Sequence, residues 1–155
     1  MSADFMRRAI ALAKNNVSTG AGGPFAAVIV QDGRIVAEGA NRVTATNDPT
    51  AHAEVMAIRE ACRKRGSFQL PGCELYTTCE PCPMCLGAIY WARLERIYYA
   101  CVEADAAAAG FDDGHIYQEL RLPITQRSLP MQSLLRDEAL EIFSLWRRQE
   151  TKVPY

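Results

Sequence analysis

Pro-Cys-Pro-Met-Cys at residues 81–85 and His-Ala-Glu at residues 52–54 are the two segments on which the interpretation of this chain depends. Each lies at the start of a predicted helix. Cys82 and Cys85 are three positions apart, so both thiols lie on one helical turn and can bind one ion. With the histidine they would supply three ligands and leave a fourth position open, which is typical of a catalytic zinc ion. Glu54 is close enough in sequence to carry protons there without being a ligand.

A second pair of cysteines has the same spacing. Cys79 and Cys82 are also three positions apart, but Pro81 interrupts helical regularity between them. The spacing therefore favours Cys82 with Cys85 and leaves Cys79 as a buried neighbour. On its own, a Cys-x-x-Cys pair is also typical of structural zinc, of a redox pair or of two buried thiols. Three further cysteines are interpreted as core thiols, at Cys62, Cys73 and Cys101.

Helical and strand patterns alternate around these segments. Helices are predicted near residues 4–16, 47–64, 82–91 and 137–149, with a short helical turn at 105–109 and a loop at 110–114. Strands are predicted at 25–31, 34–41, 73–78 and 96–101. Asp32-Gly33 predicts a tight hairpin between the first two strands, because both positions need positive φ. This order predicts an α/β sandwich with a mixed sheet.

The composition is that of a globular protein of one domain. The chain has 155 residues, of which 49% are hydrophobic and 23% charged, and this balance argues against disorder. A net charge of −1 weakens a nucleic-acid or membrane interpretation, because phosphate binding needs a basic surface. The N-terminus does not have the pattern of a secretory signal, and no apolar run approaches about 18 residues. We therefore expect a cytoplasmic protein with reduced thiols.

The order His-x-Glu followed by Pro-Cys-x-x-Cys matches the signature of zinc-dependent deaminases. Residues 78–93 (TCEPCPMCLGAIYWAR) and the loop at 108–113 (AAGFDD) closely resemble the corresponding stretches of bacterial guanine deaminases. The end of the chain, an aromatic-containing helix and a short tail finishing in Tyr155, resembles theirs as well. The similarity to this family of the cytidine-deaminase-like superfamily covers nearly the whole length.

The resemblance implies a fold and an assembly. The family has a three-layer α-β-α sandwich around a mixed five-stranded sheet, so residues 1–155 would form a single deaminase domain. Bacterial members form homodimers in which the C-terminal segment crosses to the partner and helps close its active site. A domain-swapped homodimer is therefore expected here.

The resemblance also implies the roles of the central residues. One Zn²⁺ per subunit, with a bound catalytic water, would be held by His52, Cys82 and Cys85. Glu54 would be the proton shuttle. Asp113 would assist recognition or proton transfer. Asp112, the adjacent acid in the same loop, remains the alternative for this role.

The remaining roles implied by the resemblance concern the substrate. Asn41 would hydrogen-bond the purine, although Asn at the end of a strand is commonly a turn former. Phe25 and Trp91 would line the pocket walls, although both are core aromatics by default. Phe111 would pack against the base. Tyr155 would cap an active site. The sequence leaves open whether this is the site of the same subunit or that of the partner subunit.

Guanine deamination to xanthine and ammonia, a reaction of purine metabolism, is the activity that the resemblance implies. A tRNA adenosine deaminase shares both zinc motifs and is the main alternative, but it needs a basic surface for RNA. Another nucleobase or nucleoside deaminase comes next. A small zinc-ribbon-like binding module is the alternative without enzymatic activity, and it usually has four Cys or His ligands where only three align here.

Overall fold

The structure is a computed structural model that describes residues 2–155. It divides into two compact units, of which the first extends to Gly114 and the second comprises His115–Tyr155. The helices of the first unit are α1 (Ala3–Ser18), α2 (Val43–Thr46), α3 (Ala53–Arg65), α4 (Pro83–Trp91) and α5 (Glu103–Ala108). Its strands are β1 (Ala26–Gln31), β2 (Arg34–Ala40), β3 (Cys73–Cys79) and β4 (Arg96–Cys101).

A mixed sheet with the strand order β2-β1-β3-β4 forms the centre of the first unit. β1 is antiparallel to both β2 and β3, whereas β3 and β4 are parallel. The expectation of five strands is wrong, because the sheet within residues 2–155 has four. After β4 the chain forms helices and segments that contain Pro123 and Pro130. Proline has no backbone N–H, so it disfavours the ladder that a fifth strand would need.

Helices cover both faces of this sheet, which confirms the three-layer α-β-α sandwich. Successive residues of β1 point to opposite faces. Ala27 and Ile29 pack in one cluster with Ala57 of α3, and Val28 packs in the other with Ala9 of α1. Because both faces are covered, β1 is apolar along nearly its whole length and does not alternate between apolar and polar residues.

The hairpin between β1 and β2 forms where it was predicted. Asp32 has φ 49° and Gly33 has φ 70°, and Gln31 pairs with Arg34 on either side of them. A two-residue turn with both central residues at positive φ matches the right-handed twist of the flanking strands. The turn therefore fixes the register of the first two strands.

A glycine in β2 lets α3 approach the sheet closely. A Cβ atom at Gly39 would lie 2.3 Å from the carbonyl oxygen of Ala53 and 2.4 Å from the backbone nitrogen of Ala57. Any side chain at this position would collide with the backbone of α3. Gly39 therefore sets the distance between the sheet and the first turn of α3.

The start of α3 differs from the prediction. The helix begins at Ala53, not near residue 47. Asn47, at φ 50°, ends the short helix α2. Asp48 then holds a turn, since its Oδ1 accepts hydrogen bonds from the Thr50 backbone N–H at 2.8 Å and from the Thr50 hydroxyl at 2.7 Å. Such local side-chain bonds compete with helix formation.

Cys101 also differs from the prediction, because this expected core thiol is exposed. It ends β4, which lies at the edge of the sheet. Cys73 is buried and Cys62 is half-buried, so these two agree better with the core assignment. All six thiols are free.

The second unit is helical. It contains most of α6 (Gly114–Arg121), a 3₁₀ turn at Ile124–Gln126, and α7 (Arg136–Arg148). α6 was not predicted, whereas α7 forms where it was expected. Large apolar side chains of α7 are exposed, among them Leu140, Phe143 and Trp146. No helix within residues 2–155 is long and apolar enough to cross a lipid bilayer.

Candidate active site

The three predicted metal ligands lie together at the N-terminal ends of two helices. His52 is the N-cap residue of α3, Cys82 is the N-cap residue of α4, and Cys85 lies in the first turn of α4. Nδ1 of His52 is 3.6 Å from Sγ of Cys82 and 3.5 Å from Sγ of Cys85. All three donor atoms lie within 4.8 Å of one another.

This spacing fits a tetrahedral zinc ion. A Zn–N bond of about 2.1 Å and a Zn–S bond of about 2.3 Å at the tetrahedral angle place N and S about 3.6 Å apart. One imidazole and two thiolates balance the charge of Zn²⁺ and leave one position for water or substrate. Among the described residues, Cys79 does not belong to this donor set and is buried at the end of β3. The geometry therefore supports Cys82 with Cys85 as the metal-binding pair.

The surroundings of the two thiols favour metal binding. A hydrogen bond from Cys85 lowers the pKa of Cys82 to about 4, and the same bond raises the pKa of Cys85. The hydrogen bond with Cys82 raises the pKa of His52. Both thiols lie at a helix N-terminus, whose partial positive charge stabilises thiolates. A cation bound between the two thiols would displace the remaining thiol proton.

Glu54 lies in the first turn of α3 with its carboxylate directed toward the same cluster. Its Oε1 accepts a hydrogen bond from the Thr77 hydroxyl at 3.0 Å, and its Oε2 lies 3.5 Å from Sγ of Cys85. Burial raises the pKa of Glu54, so the carboxyl group binds a proton more readily than an exposed glutamate does. A carboxylate in this setting is suited to accept a proton and to release it again.

A cavity of about 620 Å³ is lined in part by His52, Cys82 and Glu54. Four predicted substrate-contact or proton-transfer residues line it, and they come from three separate segments: Phe25, Asn41, Phe111 and Asp113. The rings of Phe25 and Phe111 meet edge to face with their centroids 4.9 Å apart. The cavity is large enough for a single purine base with ordered water.

Asn41 presents an amide to this cavity in a fixed orientation. Its side chain is largely buried, and Oδ1 accepts a hydrogen bond from the backbone N–H of Val43 at 3.3 Å. The Nδ2 group is thereby left to donate to a bound molecule. A donor at this position suits a base that offers acceptor atoms.

The two adjacent acids of the Gly-Phe-Asp-Asp loop differ in their bonding. Oδ1 of Asp112 accepts a hydrogen bond from the backbone N–H of Gly114 at 2.9 Å, so this side chain closes a turn. Oδ1 of Asp113 is buried and has no hydrogen-bond partner, and burial raises the pKa of this carboxyl group. A buried acceptor without a partner is costly, and a ligand that donates a hydrogen bond would satisfy it.

Two predicted contact residues are not part of the cavity wall described above. Trp91 ends α4, is 61% exposed and does not line the cavity. Tyr155 is 74% exposed and belongs to the second unit, whereas the residues that line the cavity belong to the first. The structure of one chain therefore brings together the metal ligands, Glu54 and four of the six other predicted residues.

Sequence reasoning missed Thr77, the residue that hydrogen-bonds Glu54. Thr77 lies in β3 and pairs with Ala27 of β1, so its hydroxyl is buried in the middle of the sheet. The available signal is a polar residue within a strand that is otherwise buried on both faces, since such a hydroxyl needs a partner.

The chain is similar in sequence to deaminases of known families. A family model described as the cytidine and deoxycytidylate deaminase zinc-binding region matches residues 1–101. A guanine deaminase of Bacillus subtilis is 55% identical over 97% of both chains. A tRNA-specific adenosine deaminase of Agrobacterium fabrum is 48% identical over 55% of this chain and 56% of its own.

The chain is also similar to solved structures of guanine deaminases. The crystal structure of guanine deaminase from Bacillus subtilis superposes with a TM-score of 0.97 at 54% identity, and the match covers 100% of this chain and 99% of that one. A guanine deaminase from Nitrosomonas europaea matches with a TM-score of 0.68 at 36% identity, over 71% of this chain and 64% of that one. Similarity to the Bacillus subtilis guanine deaminase thus extends over the second unit, whereas the match to the Agrobacterium tRNA deaminase covers about half of the chain.

Proposed function

Since this chain belongs to the cytidine and deoxycytidylate deaminase family, we propose that it hydrolyses guanine to xanthine and ammonia. The observation that carries this proposal is the match to Bacillus subtilis guanine deaminase, which extends over 97% of both sequences. The metal donors and the buried carboxylate provide the chemistry that such a hydrolysis needs. The protein is therefore an enzyme of purine metabolism.

Zinc, held by His52, Cys82 and Cys85, would lower the pKa of a coordinated water to about 7 and so supply the nucleophile. Glu54 would take one proton from the attacking water and pass it to a ring nitrogen next to C2, which makes C2 more electrophilic as the bond to the water oxygen forms. The same carboxylate would then take the second proton from the new C2 hydroxyl and deliver it to the amino group, so that the C2–N bond breaks, ammonia leaves and the C2 carbonyl of xanthine remains. The raised pKa of Glu54 suits a group that must both accept and donate.

The cavity wall would orient the base for this reaction. Asn41 would donate from Nδ2 to an acceptor atom of the purine, and Phe25 and Phe111 would enclose its ring. Asp113 has the only carboxylate oxygen of the described residues that is buried without a partner. This oxygen would accept a hydrogen bond from a donor of the base, which favours Asp113 over Asp112 as the functional acid.

The charge of the cavity favours a free base over a nucleic acid. Within residues 2–155, its lining includes the carboxylates of Glu54, Glu80, Asp112 and Asp113, and no lysine or arginine. Phosphate groups bind most often where lysine or arginine side chains face them, and carboxylates repel them. A tRNA substrate would bring phosphates to an acidic entrance, and the net charge of −1 offers no compensation.

We also propose that the complete site belongs to a homodimer in which the C-terminal segment reaches the partner. Apolar side chains of α7 are exposed in one chain, and so are Tyr90 and Trp91 on α4, at 70% and 61%. Exposed apolar surfaces of this extent are typical of association sites. Tyr155 would then cap a cavity of the assembled dimer.

Metal removal tests the proposed activity. Protein treated with a zinc chelator should lose guanine turnover, and one equivalent of Zn²⁺ per chain should restore it, with xanthine and ammonia formed in equal amounts. Absence of xanthine from the zinc-loaded protein would overturn the proposal. Full activity in metal-free protein would overturn the zinc-dependent mechanism.

A further inference from the structure

We propose that Asn16 is a positioning residue that sets the affinity of the cavity for its base by fixing Asn41. This inference rests on the proposed function and deepens it. Asn16 lies in the last turn of α1 and is 4% exposed. It does not line the cavity, and no motif of the sequence points to it.

The side chain of Asn16 joins two segments that form the cavity wall. Its Nδ2 donates a hydrogen bond to the carbonyl oxygen of Gly23 at 2.8 Å and another to the carbonyl oxygen of Asn41 at 2.9 Å. An amide NH₂ group has two hydrogens, so both are used. One buried group thus ties the loop before β1 to the residue that follows β2.

These bonds hold Asn41 from several sides. Its backbone N–H donates to the carbonyl oxygen of Phe25 at 3.0 Å, its carbonyl accepts from Asn16, and its side-chain Oδ1 accepts from Val43. With these three groups engaged, the remaining Nδ2 of Asn41 has a defined direction. Loss of the bond from Asn16 would free the carbonyl, and the peptide plane could rotate.

The junction is also tightly packed. A Cβ atom at Gly22 would lie 2.1 Å from the carbonyl oxygen of Asn41 and 2.9 Å from Nδ2 of Asn16. Only glycine allows the loop to approach so closely. The loop continues to Gly23, whose carbonyl also accepts the N–H of Phe25 at 2.9 Å. Asn16 therefore bonds Asn41 directly and is linked to Phe25 through the shared carbonyl oxygen of Gly23.

The position of Asn16 separates this role from general support of the fold. α1 packs on the sheet mainly through apolar residues such as Ala9 and Ala13. Asn16 lies C-terminal to these residues in α1, and its side-chain hydrogen bonds go to Gly23 and Asn41, which line the cavity. None of its hydrogen bonds involves a metal ligand or Glu54. Its replacement should therefore change substrate affinity more than zinc content or the chemical step.

Asn16→Asp is the most direct test, since it keeps the shape and replaces the donor with an acceptor facing two carbonyl oxygens. The matched control is Asn15→Asp, which adds the same charge at the neighbouring, exposed position of α1. We expect Asn16→Asp to raise KM for guanine by about tenfold or more while kcat changes by less than about threefold. Zinc should stay at one equivalent, and Asn15→Asp should match the wild type. Asn16→Ala, which removes both donors without adding charge, is the second variant if the aspartate variant does not fold.

A double-mutant cycle with Asn41→Ala tests whether Asn16 changes KM through Asn41. If Asn16 acts through Asn41, Asn16→Ala should raise KM in the wild-type background and have little further effect in Asn41→Ala. Equal effects in both backgrounds, or kinetics of Asn16→Ala like those of the Asn15 control, would overturn the inference. A wild-type protein without guanine turnover would instead overturn the proposed function, so the two failures are distinguishable.

Discussion

Glu54 is the residue whose surroundings most directly predict a catalytic effect. Replacing it with glutamine keeps the shape and one acceptor for the Thr77 hydroxyl, but removes the group that carries protons. We expect Glu54→Gln to keep one zinc per chain and to lower kcat by about 10³-fold. Metal analysis and steady-state ammonia release on the same preparation measure both quantities.

Glu60→Gln is the matched control, because Glu60 lies on the same helix and pairs with Arg63 and Lys64 at the surface. Its kinetics should equal those of the wild type. Turnover by Glu54→Gln within about tenfold of wild type would contradict the role of Glu54 as proton shuttle.

Substitution of Gly39 tests how the element α3 is held against β2. A methyl group at this position would meet the backbone of α3 at 2.3 and 2.4 Å, so the helix must move. We expect Gly39→Ala to lower the free energy of unfolding by about 2–3 kcal/mol and to weaken zinc binding, because His52 and Glu54 lie at the start of α3. Denaturant unfolding and zinc titration measure the two effects.

Gly87 in α4 supplies the control, since a Cβ there has no atom within 4 Å. Alanine favours a helix over glycine by about 1 kcal/mol, so Gly87→Ala should be neutral or slightly stabilising when it is compared with the wild type in the same oligomeric state. An unchanged stability and zinc affinity in Gly39→Ala would mean that α3 does not depend on this close approach.

An ion pair between α1 and β2 gives a prediction about pH. Arg8 bonds both carboxylate oxygens of Glu38, at 2.7 and 2.9 Å, and this pairing lowers the pKa of Glu38. A carboxyl group with a lower pKa in the folded state stabilises the protein above its unfolded pKa, and this contribution is lost as the pH falls through the folded value. Both side chains are partly exposed, so the contribution is only about 0.5 kcal/mol.

Arg8→Ala should therefore be less stable than the wild type at pH 7, and the difference should disappear at a pH low enough to protonate Glu38 in the folded protein. Urea unfolding of both proteins across this range measures it. A difference that stays constant with falling pH would show that Arg8 contributes through packing instead of charge.

The elements near the zinc motifs could be predicted because their signals are local. Asp32-Gly33 predicted the hairpin, apolar spacing located α1, and Glu80-Pro81 located the start of α4. The start of α3 was missed because the turn at Asp48 and Thr50 depends on a side-chain hydrogen bond that no periodicity reports. The predicted fifth strand came from resemblance, and the four-stranded sheet of residues 2–155 corrects it.

The candidate site likewise contains residues that the sequence predicts and residues that it does not. The metal ligands and Glu54 occur in compact motifs, so sequence alone located them. Thr77 and Asn16 act through contacts between residues that are 23 and 25 positions apart in the chain. Such contacts form only when the strands are arranged in the sheet. They therefore cannot be recognised from the pattern of residues along the chain.

The C-terminal tail gives a prediction for the whole molecule. Deletion of residues 153–155 should lower kcat/KM for guanine and leave zinc content unchanged, if Tyr155 caps a site. Mixed dimers then show whose site it caps. Coexpression of the tail-deleted chain with the inactive Glu54→Gln chain should restore activity if the tail acts on the partner, since the intact Glu54 site receives an intact tail.

If the tail acts on its own subunit, no site in such a mixed dimer has both Glu54 and Tyr155, and activity stays at the level of the deletion. Unchanged kinetics in the deletion alone would exclude capping by the tail. A monomer at all concentrations in analytical ultracentrifugation would exclude the shared site.

The central claim is that the zinc-loaded protein deaminates free guanine. It is tested most directly by the rate of ammonia release from guanine, guanosine, adenine, cytosine and tRNA, each measured with the same purified preparation. We predict that kcat/KM for guanine exceeds that for each of the others by at least about 10²-fold. Preferential release from tRNA, or no release from guanine, would contradict it.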